Sequence, residues 1–131
     1  FPTRRSSDLP FVTYTWVYQE TMPFLQFMIY QILCIGFTEE LLFRGFLRWV
    51  LQAYISSEML VIVLCALLFS LAHIGSEVFS MLQLLTSFMI GGVFTALMIK
   101  LPDHFSIYSL AILHGCFNVL ILGFTTYMQT L

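Results

Sequence analysis

The residues best suited to chemistry lie close together in an otherwise apolar stretch, residues 37–47. Glu39, Glu40 and Arg44 fall within six positions of this stretch. Charges in a hydrocarbon environment are costly unless they are paired or used. On a helix, Glu40 and Arg44 share a face at a spacing of four, in the favourable order for an ion pair. Glu39 is rotated by about 100° from Glu40, so we predict that it faces a group on another helix.

Polar residues in two later apolar stretches could supply that group. His73 lies in the first of them, four residues after Phe69. His114 and Asn118 lie in the second, and their spacing of four places them on one helix face. A lone histidine in an apolar helix is more often a satisfied core residue than a catalyst. Several costly polar groups on three helices instead indicate one shared intramembrane site.

The composition is that of a membrane protein. The 131 residues are 60% hydrophobic and 9% charged, whereas about a quarter of the residues in a soluble domain are charged. We predict an all-α integral membrane bundle with about four main transmembrane helices, because each span needs roughly 20 apolar residues. The sequence has no basic patch, which excludes nucleic acid as an expected partner. The expected spans are residues 24 to 49–54, 59–75, 78–99 and 105–127.

The ends of the chain and its orientation give two further expectations. Residues 1–9, FPTRRSSDL, resemble a reading frame of a common sequencing adapter, so we expect a non-native segment and exclude it from the fold. Residues 10–131 are expected to form the single domain. Arg48 follows the segment of the first span that carries the glutamates, and Lys100 ends the third span, which puts both of these ends on the cytoplasmic side by the positive-inside rule.

Three motifs on these hydrophobic segments resemble a known family. EELLFR (residues 39–44), FSLAH (69–73) and HGCFN (114–118) match the patterns EExxxR, FxxxH and HxxxN in the same order. The chain therefore resembles the CPBP family of intramembrane proteases, which includes type II CAAX prenyl endopeptidases and Abi-like bacteriocin-processing or self-immunity proteins. The match spans residues 24 to about 122. Family members have further N-terminal helices, so residues 10–131 are expected to be an N-terminally incomplete domain.

The resemblance also implies roles for the motif residues. Glu39 would be the general base that activates a water molecule, and His73 would hold or polarise that water. His114 and Asn118 would stabilise the tetrahedral oxyanion, a common use of such donors. Glu40, Arg44 and Phe69 would support the site, and Glu40 would be paired with Arg44.

The metal question stays open at this point. If a metal is bound, Glu39, His73 and His114 could hold Zn²⁺ or another divalent ion with an open water position. The sequence has no HExxH motif on one helix. We therefore favour a glutamate-activated water with no obligatory metal.

The function predicted is that of an intramembrane endopeptidase. It would hydrolyse a peptide bond of a membrane-associated protein or peptide, prenylated or leader-bearing, in a bacterial cytoplasmic membrane. One alternative is a non-catalytic bacteriocin self-immunity or scaffold protein that keeps the motifs. Another is a proton-coupled transporter, which also places Glu and His in the membrane, and the last is a truncated pseudogene product.

Overall fold

A computed structural model describes residues 24–74 and 81–130, with side chains for residues 25–74 and 81–121. This part of the chain is all-α, as predicted. Residues 1–9, predicted to be non-native, and residues 10–23 of the predicted domain lie outside the described residues, as do residues 75–80 and 131. The first helix, α1, is continuous from Phe24 to Tyr54, and it is followed by α2 (Glu58–Ala72), α3 (Met81–Lys100) and α4 (Ile107–Thr130).

A side-chain hydrogen bond marks the beginning of α2, and the helix ends earlier than predicted. Ser57 caps the helix because its hydroxyl oxygen accepts a hydrogen bond from the Leu60 N–H at 3.4 Å. The predicted span 59–75 is too long at its C-terminal end, since the helix ends at Ala72 and His73 lies in the turn that follows. His73 is therefore attached to the end of α2 rather than carried within its last turn.

The first helix changes its winding twice around the two glutamates. Two π-helical stretches, Tyr30–Gly36 and Leu41–Leu47, flank the α-helical Phe37–Glu40. A π-helical turn holds more residues than an α-helical turn and is frequent at functional sites. The apolar pattern did not predict these stretches. The two glutamates thus lie on the short segment between two changes of helical register.

Close packing of α1 against α4 depends on two glycines. A Cβ atom at Gly115 would lie 2.5 Å from Ile32 Cα, and one at Gly36 would lie 2.6 Å from the Ala111 carbonyl oxygen. Neither distance can accommodate a side chain, so these backbones approach as closely as small residues allow. The approach brings the polar residues of α4 within reach of those of α1.

The second pair of helices, α2 and α3, packs in a similar way and completes the bundle. A Cβ at Gly91 of α3 would lie 3.1 Å from Ala66 Cα. At one end of this pair, Lys100 forms an ion pair with Glu58. Because Glu58 follows closely after the end of α1, Arg48 and Lys100 lie at the same end of the bundle. The cytoplasmic assignment of that end stays a prediction.

The distribution of polarity is the reverse of that in a soluble protein. Within the described residues, the buried set includes charged and polar side chains, whereas large apolar side chains cover the surface. Leu33 and Trp49, for example, are 63% and 66% exposed. Two helices, Leu25–Tyr54 and Met81–Lys100, are long and apolar enough to cross a membrane, and two shorter apolar stretches, Glu58–Ala72 and Ile107–Ile121, accompany them among the residues whose side chains are described. The predicted four helices are present, and two of them meet both the length and the apolar composition expected of a span within the described residues. The buried polar side chains are Gln31, Glu40, Arg44, Ser70, Ser87, Thr95 and His114.

Candidate active site

The ion pair predicted on α1 is present at the centre of the bundle. Arg44 Nη1 donates a hydrogen bond to Glu40 Oε1 at 3.0 Å, and both side chains have no exposed surface. A buried pair of this kind lasts only where each charge keeps its partner, since a stranded charge in a low dielectric is strongly unfavourable. Glu40 and Arg44 therefore form a fixed charged unit within the first helix.

His114 joins this unit from the opposite helix. Its Nδ1 lies 2.9 Å from Glu40 Oε1, and because an ionised carboxylate can only accept, Nδ1 carries the hydrogen. Glu40 thus holds both Arg44 and His114 through the same oxygen atom. The sequence had assigned Glu40 a partner on its own helix alone, and this second contact orients the imidazole.

The other nitrogen of His114 faces Glu39. His114 Nε2 lies 3.6 Å from Glu39 Oε2, which is longer than a hydrogen bond but places the second imidazole nitrogen opposite this carboxylate. The prediction that Glu39 faces a group on another helix is confirmed by this contact. His114 is therefore placed between two adjacent carboxylates, with one nitrogen turned toward each.

The two glutamates differ in exposure. The Glu39 side chain is 30% exposed, whereas that of Glu40 is fully buried. Glu39 Oε2 and Glu40 Oε2 are both buried atoms without a hydrogen-bond partner among the described residues, so the exposed surface of the Glu39 side chain belongs to its other atoms. Of the two neighbouring carboxylates, Glu39 is the one that a water molecule or a substrate can approach.

Phe69 packs against the charged unit and connects all four helices. The Arg44 guanidinium carbon lies 4.2 Å from the centre of the Phe69 ring, a cation–π contact. The same ring makes edge contacts with Phe43 at 5.0 Å and with His114 at 5.8 Å. A Cβ at Gly91 of α3 would lie 3.2 Å from Phe69 Cδ1. Phe69 thus fills the space beneath the polar cluster and helps to exclude water from Arg44.

His73 lies on the other side of this aromatic contact. Its ring centre is 4.8 Å from that of Phe69. His73 Nδ1 lies 2.8 Å from the Phe69 carbonyl oxygen, so Nδ1 donates and Nε2 is the acceptor of a neutral ring. The FxxxH spacing therefore fixes the orientation of the imidazole through both the ring and the backbone of Phe69.

Asn118 lies one helical turn beyond His114 and contacts a residue that the sequence reasoning did not place in the site. Its Nδ2 donates a hydrogen bond to Gln31 Oε1 at 3.2 Å. Gln31 is 6% exposed and belongs to the first π-helical stretch of α1. The only signal of Gln31 in the sequence is a polar residue in an apolar span, eight residues before Glu39.

The geometry does not assemble the metal ligands considered from the sequence. Among the described residues, no group of three or more His, Cys, Asp or Glu side chains is arranged to hold a metal ion. Both ring nitrogens of His114 face glutamate oxygens instead. We therefore derive no step through a metal, and the question of a cofactor stays a prediction.

Comparison with known proteins identifies the family. A family model described as "Type II CAAX prenyl endopeptidase Rce1-like" matches residues 20–120. The chain belongs to this family. The match confirms the resemblance read from the three motifs. No curated protein and no solved structure matches the chain.

Membership in the Rce1-like family decides the broad class of the protein. The family comprises membrane-embedded proteases of the CAAX type, so at family level the chain is an intramembrane protease. A membrane setting agrees with the apolar surface of the bundle and with its two long apolar helices. Peptides are the substrates expected for such a family.

Proposed function

We propose that the protein is an intramembrane endopeptidase in which Glu39 activates a water molecule without an obligatory metal. The observation that supports this most directly is the contrast between the two glutamates. Glu40 is fully buried and bound to two partners through one oxygen, whereas the Glu39 side chain is 30% exposed. A general base must be able to reach water and accept its proton.

In the proposed reaction, a water oxygen attacks the carbonyl carbon of the substrate while Glu39 takes up the proton. The peptide carbon–nitrogen bond then breaks, and Glu39 returns the proton to the leaving amine. His73, at the end of α2, would hold or polarise the attacking water. No oxidant, reductant or further reactant is needed, because hydrolysis consumes only water.

The oxyanion of the tetrahedral intermediate would be stabilised by donors on α4. His114 can donate through Nε2 when it is protonated, and its Nδ1 is held by Glu40 Oε1 at 2.9 Å, which fixes the direction of Nε2. Asn118 adds an amide donor one turn away. Removing one donor of this type costs about 10² to 10³ in kcat.

The substrate proposed is a membrane-associated protein or peptide, and a prenylated peptide is the first choice. The matching family model is named for CAAX prenyl endopeptidases, and a prenyl chain would hold a peptide at the apolar surface of the bundle. A leader-bearing peptide is the second choice. The bacterial cytoplasmic membrane is our proposed location.

The test compares Glu39→Gln with the unsubstituted chain in liposomes. The probe is a farnesylated CAAX peptide with a fluorophore and a quencher on either side of the scissile bond, and a non-prenylated leader peptide serves as the second probe. We expect Glu39→Gln to abolish cleavage, because the amide is nearly isosteric but cannot accept the proton. The thermal unfolding midpoint should not change.

The control is the same substitution at an exposed carboxylate, Glu58→Gln, which should cleave normally. Cleavage retained in Glu39→Gln would refute the proposed base. No cleavage of either probe by the unsubstituted chain would favour the non-catalytic scaffold over the protease. Inhibition by o-phenanthroline that added Zn²⁺ reverses would overturn the metal-independent mechanism.

A further inference from the structure

Gln31 is a buried polar residue beside Asn118 that the proposed reaction does not use. An amide side chain in an apolar helix is costly unless its polar atoms have partners. Gln31 is 6% exposed, and its Oε1 accepts the hydrogen bond from Asn118 Nδ2 at 3.2 Å. The contact joins residues that are 87 positions apart in the sequence. It is thus a specific bond between α1 and α4 rather than a consequence of helical spacing.

This bond adds a second polar contact between the antiparallel helices α1 and α4. The first is that of His114 with Glu39 and Glu40. Between them lies the close approach of the backbones, where a Cβ at Gly115 would be 2.5 Å from Ile32 Cα. The tight crossing leaves the two helices little freedom to slide. The Gln31 amide is therefore held at a fixed position relative to the two carboxylates.

We infer that Gln31 is a positioning residue that orients the Asn118 amide toward the reacting carbonyl group. The inference rests on the proposed function, in which Asn118 stabilises the oxyanion. An amide nitrogen carries two hydrogens. Gln31 Oε1 takes one of them, which fixes the plane of the Asn118 amide and leaves the second hydrogen for the oxyanion. A preorganised donor needs no reorientation in the transition state, and this preorganisation is the source of its catalytic effect.

The experiment is a double-mutant cycle of Gln31→Leu and Asn118→Ala, measured with the farnesylated probe in liposomes. We expect Gln31→Leu to lower kcat by roughly 10-fold to 10²-fold with KM changed by less than about twofold, since misplacing a catalytic group by about 1 Å has an effect of this size. Asn118→Ala should lose about 10² to 10³. The double variant should lose no more than Asn118→Ala alone, because Gln31 acts only through Asn118.

The matched control is Gln26→Leu, the same substitution at an exposed position of the same helix, which should leave kcat unchanged. Thermal unfolding midpoints of the four proteins in the cycle test the hydrogen bond separately from catalysis. Additive midpoint shifts would show that the two amides are not coupled and would overturn the inference. It would equally be overturned if Gln31→Leu kept the full kcat.

These outcomes are distinguishable from failure of the proposed function itself. If Glu39→Gln still cleaves, the mechanism is wrong and Gln31 has no oxyanion donor to orient. If Glu39→Gln is inactive while Gln31→Leu retains the full kcat, the mechanism stands and the role of Gln31 alone is refuted. If the losses of kcat in the two single variants multiply in the double variant, Gln31 acts independently of Asn118. That result also contradicts the inference.

Discussion

The α1–α4 interface and the α2–α3 interface pack in a similar way, but they differ in how their polar side chains are hydrogen-bonded. Both bring glycines against a neighbouring helix. In the α2–α3 pair, two buried hydroxyl groups bond to backbone: Ser70 Oγ donates to the Leu84 carbonyl at 2.8 Å, and Thr95 Oγ1 donates to the Gly91 carbonyl at 2.7 Å. Hydroxyl groups satisfied in this way stabilise packing and offer nothing to a substrate.

At the α1–α4 interface, some buried polar atoms have no hydrogen-bond partner among the described residues. Among the described residues, the buried side-chain atoms without a hydrogen-bond partner all belong to three residues of α1: Glu39, Glu40 and Arg44. Unpartnered polar atoms are costly in a buried environment, and a structure keeps them where function needs them. The contrast indicates that the packed interface of α2 and α3 forms a support, while α1 and α4, together with His73 at the end of α2, carry the groups proposed to react.

The largest effect on stability is expected from Arg44→Ala. It removes one member of a fully buried pair and leaves the Glu40 charge with only His114, a change that costs about 3 to 5 kcal/mol for a buried pair. Thermal or denaturant unfolding in detergent would measure this loss. The matched control is Arg48→Ala, one turn later, where the side chain is half-buried and bonds to the Arg44 carbonyl and to Gln52.

The control should lose only about 1 kcal/mol, the usual contribution of a hydrogen bond. Equal losses in the two variants would mean that the buried pair is not the distinguishing feature of the α1–α4 interface. An Arg44→Ala protein as stable as the parent would refute the structural role of the pair.

A smaller effect is expected from adding one methyl group to the helix crossing. Gly115→Ala would place a Cβ 2.5 Å from Ile32 Cα, so α1 and α4 must move apart. Overpacking of this kind costs about 1 to 3 kcal/mol. Because the separation also moves His114 away from the glutamates, cleavage of the farnesylated probe should fall together with stability.

Gly92→Ala is the comparison in the supporting pair, since a Cβ there would lie 3.6 Å from Ala66 Cβ, an ordinary contact. We expect its unfolding free energy and its cleavage rate to stay close to those of the parent. If Gly92→Ala were as damaging as Gly115→Ala, the two interfaces would not differ in tolerance as proposed.

The smallest effect is expected from Ser70→Ala in the supporting pair. The variant loses the hydrogen bond to the Leu84 carbonyl, and bonds between helices in membranes contribute about 0.6 kcal/mol on average. Unfolding in detergent should show this small loss, while kcat for the probe stays at the parental value. A fall in kcat without a fall in stability would show that the α2–α3 interface participates in the reaction.

The sequence by itself determined the features that depend on local geometry. The apolar segments predicted the helices, because a long hydrophobic run in a chain with few charges can bury its backbone only as helix. The Glu40–Arg44 pair followed from a spacing of four on one helix, and it is present as predicted. The three ordered motifs were sufficient to indicate the family. Each of these features requires only neighbouring residues or their order along the chain.

Only the tertiary structure decided how the helices face one another. The placement of His114 between Glu39 and Glu40, and the bond between Gln31 and Asn118, join residues at least 74 positions apart. Helical periodicity fixes which residues share a face, but the rotation and approach of two helices depend on the packing of small residues at their crossing. The π-helical stretches also change which residues of α1 share a face. The apolar pattern does not predict this change, because lipid-facing positions accept many apolar residues.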